Sequence, residues 1–167
     1  ICGEAISKKF KIGRPEETFT CGLLHDIGKL VMHIIDPKRL EFILSQSKEK
    51  KTGFIDIERS HDMLTHAYIG EMMAMKWNLP QVVRQSIRYH HTDVEKLSTI
   101  LPSAKKTIQM VRLANAMAVK NKIGKSGDYS LGQITNDMVE PLGLKVEQIE
   151  EIEKDLPRLM EKAGAFL

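Results

Sequence analysis

Apolar residues recur along most of the chain at the three- and four-residue spacing of an α-helix. No segment alternates convincingly with the two-residue period of a half-buried strand. The spacing is clearest between residues 16 and 35, where a broad apolar stripe consists of Phe19, Leu23, Leu24, Ile27, Val31 and Ile34. We expect this stretch to form one central, buried helix. The sequence therefore predicts an all-α fold with about seven or eight helices.

Turn-forming residues divide the remaining helical pattern into segments. We expect further helices over residues 1–10, from 37 to about 51, 57–63, 66–77, 80–91, 104 to about 123, near 134–142, and from 146 onward. We expect residues 92–103 to form a loop. Proline lacks a backbone N–H group, so we also expect Pro157 to bend or divide the last helix.

The composition is that of one soluble globular domain. The 167 residues are 42% hydrophobic and 28% charged, and the net charge of +3 is too small to indicate a nucleic-acid or membrane partner by itself. Cys2 and Cys21 are too few for a disulfide framework, and neither a signal peptide nor a membrane span is evident. We expect a cytoplasmic protein, with residues 1–167 as a single domain cut from a longer chain, because the sequence opens at Ile1.

All six histidines lie between residues 25 and 91: His25, His33, His61, His66, His90 and His91. His25 and Asp26 are adjacent, and Lys29 follows one helical turn later, so all three can face one site. Their apolar neighbours predict burial, and buried polar groups need partners. His66 and the pair at 90 and 91 lie at other helix ends. A mixed set of imidazole and carboxylate groups suits Zn, Mn, Fe or Ni rather than Ca.

The other candidates have simpler interpretations. We expect His33 to be a partly exposed polar side chain, and His61 to form a local salt bridge with Glu58 or Asp62 or to cap a helix. Cys21 lies one helical turn before His25, and we expect it to be a buried structural thiol rather than a soft metal ligand.

A run of basic residues without an intervening acid consists of Lys105, Lys106, Arg112, Lys120, Lys122 and Lys125. Such a run can attract a nucleotide, a nucleic acid or an acidic partner. Few aromatic residues are available to stack on bases, so a solvated helix face is favoured and nucleic-acid binding is disfavoured. The acidic tail beyond Lys145 offers another explanation, because it can lie against this patch and neutralise it.

Five motifs together resemble the HD superfamily, and most closely its HDOD signalling branch. They are HDIGK at 25–29, HAYIG at 66–70, WNLP at 77–80, IRYHH at 87–91 and VRLANAMA at 111–118. The resemblance implies an HD-domain-like helical bundle around a divalent transition metal, either Fe, Mn, Ni or Zn. The ligands that it implies are His25, Asp26, His66, His90 and His91. It also implies catalytic roles for Asp26 and Lys29, the latter as a lysine that can face a phosphate.

Three departures from the catalytic members shape the functional prediction. Asn115 stands where catalytic HD enzymes place a final metal-binding Asp, and the histidine of the family's first helix is missing. The loop after His91 lacks the Gly-Tyr-Pro segment of the cyclic-di-GMP phosphodiesterase branch. We therefore expect a bacterial regulatory or output domain that contacts other signalling domains or proteins.

Two alternatives stay open. The first is an active metal-dependent phosphohydrolase on nucleotides or other phosphate esters, in which the ion activates water and Lys29 stabilises developing negative charge. The second is a metal-free helical interaction domain. No membrane partner is expected in any of the three cases.

Overall fold

A computed structural model describes residues 1–130 and 132–164, and every regular element in these residues is a helix. The α-helices are α1 (Cys2–Phe10), α2 (Pro15–Leu24), α3 (Ile27–Ile35), α4 (Pro37–Lys50), α5 (Phe54–Ser60), α6 (His66–Lys76), α7 (Gln81–Tyr89), α8 (Pro102–Lys120), α9 (Asn136–Val139) and α10 (Val146–Ala163). Short 3₁₀ turns lie at Val94–Lys96 and Glu140–Leu142. The prediction of an all-α, HD-like helical bundle is confirmed.

Local sequence signals explain where several helices begin. Proline occupies the first turn of α2, α4 and α8, where its missing N–H group removes no helical hydrogen bond. The Asp36 side chain accepts a hydrogen bond from the Arg39 N–H at the start of α4 (3.1 Å). Thr65 caps α6 in the same way, by accepting from the Tyr68 N–H (3.2 Å). The cap at Thr65 fixes the position of His66, the first residue of α6.

The predicted continuous helix over residues 16–35 is wrong, because the helix breaks at His25 and Asp26. A bend changes the helical register, so apolar residues counted across it do not share one buried face. Leu23 is 70% exposed and Ile34 is 72% exposed, although both belong to the predicted buried stripe. The break has a functional consequence, since it places two adjacent polar side chains at the start of α3.

One of the two effects predicted for Pro157 in the last helix, a division of that helix, is wrong, while a bend stays a prediction. Helix α10 runs without interruption from Val146 to Ala163, so Pro157 does not divide it. One face of α10 packs against α1 and α8, and the buried residues of this core are Cys2, Ile6, Met110, Leu113, Met117, Val139, Leu142, Leu144, Ile149, Ile152 and Leu156. The carboxyl-terminal helix therefore closes the core on the side of α1 and α8.

Two smaller cores support the histidine-rich half of the chain. Met32, Ile43, Phe54 and Ile57 join α3, α4 and α5. A second group joins α2, α6, α7 and α8, and its buried members are Cys21, Ala74, Val83, Ile87 and Val111. These contacts hold the ends of α3, α6 and α7 in fixed relative positions.

A close crossing of α3 and α6 depends on Gly28. A Cβ atom at this position would lie 1.9 Å from the backbone oxygen of His66, so only glycine fits the crossing as it stands. The crossing brings the first turn of α3, with Asp26 and Lys29, beside the first turn of α6, with His66. Helix α7 also packs against α6 and ends at Tyr89, just before His90. The sequence-predicted histidines thus meet where two helices begin and a third one ends.

Among the described residues, no helix combines the length and the hydropathy that crossing a lipid bilayer requires.

Candidate metal centre

Four of the predicted ligands converge in the structure. Asp26, His66, His90 and His91 each offer one nitrogen or oxygen atom, and these atoms all lie within 4.8 Å of one another. His66 and His90 are almost fully buried. Residues that are 65 positions apart along the chain therefore share one small polar centre.

The spacing of the atoms suits a small metal ion. The distance from Asp26 Oδ1 is 3.2 Å to His66 Nε2 and 3.6 Å to His90 Nε2. The Nε2 atom of His66 lies 3.4 Å from that of His90 and 3.1 Å from that of His91. Ligand atoms around a tetrahedral ion with bonds of about 2.05 Å are about 3.3 Å apart. These four distances, from 3.1 to 3.6 Å, are close to the separation of ligands around such an ion, and the other pairs lie within 4.8 Å.

Hydrogen bonds at the outer ring nitrogens orient the histidines. His90 Nδ1–H donates to the backbone oxygen of Ile87 and His25 Nδ1–H donates to that of Gly22, both at 2.8 Å. A carbonyl oxygen only accepts hydrogen bonds, so the neutral rings carry their proton on Nδ1. Their Nε2 atoms, which face Asp26, keep a free electron pair. Metal-ligating histidines are typically held by such a bond at the other nitrogen.

His66 is held by a buried carboxylate. Its Nδ1–H donates to Glu58 Oε2 (2.7 Å), and its backbone N–H donates to Glu58 Oε1 (2.6 Å). Glu58 is 0% exposed, which is rare for a glutamate without such partners. Sequence reasoning missed this role, because it assigned Glu58 to a local contact with His61. The available signal was the helical spacing of Glu58, which follows Phe54 by four residues and Ile55 by three and so lies on the apolar face of α5.

Two buried polar atoms at the centre have no hydrogen-bond partner among the described residues. They are His25 Nε2 and Asp26 Oδ1. Leaving such atoms unpaired in the interior destabilises a protein. A cation on the inner side would contact Asp26 Oδ1 together with the electron pairs of the imidazoles. The donor set of imidazole nitrogen and carboxylate oxygen fits Zn, Fe, Mn or Ni.

The electrostatics of the centre favour an ionised carboxylate. Burial alone would raise the pKa of Asp26, but the positive charges and hydrogen bonds of His25, His66, His90 and Lys29 hold this pKa well below its ordinary value. Asp26 is therefore a carboxylate at neutral pH. A carboxylate is the form that binds a metal ion.

The histidines differ from one another in their pKa values. Burial lowers the pKa of His90 to about 4, and burial together with the neighbouring histidines lowers the pKa of His91. Both rings are neutral at pH 7. Burial alone would also lower the pKa of His66, but the Asp26 and Glu58 carboxylates raise it. His66 thus lies between two carboxylates, with Glu58 at its Nδ1 atom (2.7 Å) and Asp26 Oδ1 at 3.2 Å from its Nε2 atom.

His25 lies at the edge of this centre, outside the group of four. Its Nε2 atom is 3.4 Å from Asp26 Oδ2, and its ring meets the His90 ring edge to face at 4.9 Å. The role of His25 as a fifth ligand stays a prediction.

Lys29 contacts the second oxygen of the Asp26 carboxylate, Oδ2, whereas His66 and His90 lie near Oδ1. Its Nζ atom donates to Asp26 Oδ2 (2.8 Å) and to the backbone oxygen of Ser126 (3.0 Å), and it lies 4.8 Å from the centre of the Phe54 ring. The ammonium group therefore connects the centre to the segment that follows α8. Its predicted contact with a phosphate stays a prediction.

The remaining histidines lie outside the centre. His33 is exposed, as expected. His61 caps the end of α5 by donating from Nδ1 to the backbone oxygen of Ile57 (3.0 Å), which is one of its two expected roles. Cys21 is a fully buried free thiol, and burial raises its pKa.

A cavity of about 480 Å³ opens beside the centre. His90 and His91 form part of its wall, and Asn115 lines it from α8. The residue that replaces the expected aspartate is thus in the same cavity as two candidate ligands. A neutral amide at this position adds no negative charge to the centre.

Acidic groups pair with part of the basic run. Lys120 Nζ donates to Glu153 Oε2 on α10 (2.7 Å), and Arg112 Nη2 donates to Asp137 Oδ2 on α9 (2.6 Å). These pairs reduce the positive charge that this face offers to a nucleic acid.

Comparison with known proteins identifies the family of this chain. An uncharacterized protein of Treponema pallidum (strain Nichols) is 32% identical to this chain over 75 residues, which are 45% of this chain and 15% of that protein. The chain therefore matches a small part of that longer relative. No solved structure matches the chain. The family model described as the HDOD domain matches residues 1–93, more than half of the sequence, and the chain therefore belongs to the HDOD domain family.

Proposed function

We propose that this chain is a regulatory HDOD domain that holds one divalent transition metal ion between Asp26, His66, His90 and His91. The observation that carries this proposal is that one ligand atom from each of these four residues lies within 4.8 Å of the others. Asp26 Oδ1 is 3.2 Å from His66 Nε2 and 3.6 Å from His90 Nε2. The hydrogen bonds at Nδ1 of His66 and His90 support it, because they leave the inner nitrogens of the neutral rings free to bind.

Two features of the centre favour regulation over hydrolysis. Asn115 supplies a neutral amide where hydrolytic relatives supply a charged ligand, and Lys29 already donates to Asp26 and Ser126. Without the carboxylate at position 115 a second ion would be held less tightly, and the engaged Lys29 ammonium is less available to stabilise negative charge on a phosphate. The ion then joins α3, α6 and the end of α7, and its binding stabilises the arrangement that a partner domain would recognise.

A second candidate function is hydrolysis of a phosphate ester. The observation that favours it is the cavity of about 480 Å³ beside His90 and His91, since a substrate of moderate size fits there. A bound ion would supply Lewis-acid chemistry by lowering the pKa of a coordinated water molecule. In this candidate Asp26 and Lys29 would have the catalytic roles predicted from the sequence.

Metal analysis tests the metal site that both candidate functions require. The protein is produced in medium supplemented with Mn, Fe, Ni and Zn, and its metal content is measured beside two variants, Asp26→Ala and His33→Ala. We expect stoichiometric metal in the parent and in His33→Ala, because His33 is exposed outside the centre. We expect Asp26→Ala to lose the metal. Metal-free parent protein would contradict the proposal and favour a purely helical interaction domain.

Activity assays complete the test. The loaded parent is incubated with a phosphodiester and with nucleotides, and we expect no metal-stimulated hydrolysis. Turnover that requires metal and disappears in Asp26→Ala would instead establish the phosphohydrolase.

A further inference from the structure

The cavity beside the metal centre has a wall with three basic residues, Lys51, Arg59 and Arg112. Lys51 and Arg59 are exposed and form no salt bridge within the described part of the chain. Arg112 is 16% exposed, and its Nη1 atom is buried without a hydrogen-bond partner there. The cavity therefore contains cationic groups with unused hydrogen-bonding capacity.

The acidic residues of the same wall already have partners. Asp56 Oδ2 accepts hydrogen bonds from the Gly53 N–H and the Thr52 hydroxyl, both at 3.2 Å. Asp128 Oδ1 accepts from the N–H (3.0 Å) and the hydroxyl (2.6 Å) of Ser130. These bonds hold the Asp56 carboxylate at the start of α5 and the Asp128 carboxylate in the segment that follows α8. Their negative charges remain, but the three basic residues of the lining outnumber these two carboxylates, and the side-chain amides of Asn115 and Gln133 add further hydrogen-bonding groups.

Part of the remaining cavity wall is apolar, and among the described residues histidine is its only aromatic side chain. Ile55, Ala116, Val119 and Met138 line it, and no Phe, Tyr or Trp does so among the described residues. Without an aromatic ring to stack on, a nucleobase gains little here. A small aliphatic or sugar-like skeleton fits such a surface better.

We propose that this cavity binds a small phosphomonoester of the sugar-phosphate type, with Arg112 as the main contact of its phosphate. The planar guanidinium matches the geometry of phosphate oxygens, and Arg59 and Lys51 add positive charge on the same wall. His90 and His91 line the cavity as well, so a metal ion at the proposed site would attract the same anion. In that respect alone the inference rests on the proposed function.

Asp137 competes with the ligand in this arrangement. Its Oδ2 atom accepts a hydrogen bond from Arg112 Nη2 at 2.6 Å, which holds part of the guanidinium away from a phosphate. Removing the negative charge of Asp137 leaves the Arg112 side chain in place and frees its guanidinium to bind a phosphate. If the Arg112–Asp137 pair were purely structural, removing this charge would not increase the affinity for a phosphate ligand.

Calorimetric titration of the whole chain tests the proposal. The probes are ribose 5-phosphate, AMP, inorganic phosphate and unphosphorylated ribose, each with zinc-loaded and with chelated protein. We expect saturable binding of ribose 5-phosphate, no gain from the base in AMP, and no binding of ribose. Tighter binding of inorganic phosphate than of ribose 5-phosphate would overturn the assignment of a sugar-sized ligand.

Variants identify the contact. We expect Arg112→Gln to weaken ribose 5-phosphate binding about tenfold or more, through loss of a charge-assisted hydrogen bond. Asp137→Asn should strengthen it. Arg158→Gln, at an exposed arginine on α10 outside the cavity, is the matched control and should change nothing. If Arg112→Gln does not fold, Asp137→Asn and Arg59→Gln still test the inference.

The two proposals fail in different ways. Zinc-loaded protein that binds no ribose 5-phosphate overturns this inference and leaves the metal site intact. Protein that binds no metal but still binds ribose 5-phosphate through Arg112 supports the cavity and contradicts only the metal centre. Binding that is unchanged by both Arg112→Gln and Asp137→Asn also overturns the inference.

Discussion

Glu58→Gln tests how the buried carboxylate supports the metal centre. Glu58 accepts two hydrogen bonds from one residue, from His66 Nδ1–H at 2.7 Å and from His66 N–H at 2.6 Å. Glutamine keeps one acceptor oxygen and turns the other into a donor, so one of these two N–H groups loses its partner. If Nδ1 loses it, the ring can place its proton on Nε2, and that tautomer cannot bind metal.

The magnitude follows from the bond that is lost. A hydrogen bond to a charged group contributes about 1.5–3 kcal/mol. In an equilibrium constant this corresponds to a factor of about 10 to 150. The usual loss of metal affinity when such a supporting group is removed is about 10- to 100-fold. We therefore expect Glu58→Gln to bind zinc about 10- to 100-fold more weakly.

The assay is a competition titration of zinc against a chromophoric chelator. Glu71→Gln is the matched control, because Glu71 lies on α6 in a partly exposed salt bridge with Arg88 (3.3 Å) outside the centre. The thermal midpoint of each metal-free protein is measured in parallel, which separates a loss of fold from a loss of ligand support. Unchanged zinc affinity in Glu58→Gln, or an equal loss in Glu71→Gln, would refute the reasoning.

Three further predictions concern stability. Gly28→Ala places a Cβ atom 1.9 Å from the backbone oxygen of His66, so it should lower the free energy of unfolding by about 3 kcal/mol or more, measured by denaturant unfolding. Gly22→Ala is the control, because a Cβ atom there meets open space and the change should be neutral or stabilising. The free energy of unfolding of the metal-free protein should decrease as the pH falls from about 6.5 to 4. His90 contributes up to about 3 kcal/mol to this loss, because it takes up a proton near 6.5 when unfolded and only near 4 when folded. The lowered pKa of His91 adds to the loss and the raised pKa of His66 opposes it; equal stability in chelator at both pH values would contradict this. Removing zinc that is present at 100 times its Kd should lower the free energy of unfolding by about 2.7 kcal/mol, which corresponds to a fall of about 5–10 °C in the thermal midpoint. An unchanged thermal midpoint after addition of chelator would count against a bound ion.

Sequence periodicity predicted the helical fold but not the break that forms the site. Apolar residues continue at helical spacing through His25 and Asp26, so nothing in the pattern marks the end of α2 there. The bend depends on how α3 packs on α6 through Gly28, which is a tertiary contact. For the same reason the predicted burial of Leu23 and Ile34 is wrong.

For the candidate ligands too, the sequence predicted part of the site, and the rest depends on tertiary contacts. Motif spacing indicated which helix ends hold Asp26, His66 and His90, and the structure shows that these ends meet. Spacing along a chain cannot show such a meeting, because it depends on the crossing of helices that are distant in sequence. Glu58 was missed because its nearest titratable neighbour in sequence is His61, whereas its side chain points inward to His66.

An anomalous-scattering crystal structure of the zinc-loaded protein tests the central claim most directly. We expect a single strong peak about 2.0–2.2 Å from an Asp26 oxygen and from the Nε2 atoms of His66, His90 and His91. The same peak should be absent from crystals of Asp26→Ala. A zinc peak elsewhere on the chain, with these four side chains free of metal, would contradict the account.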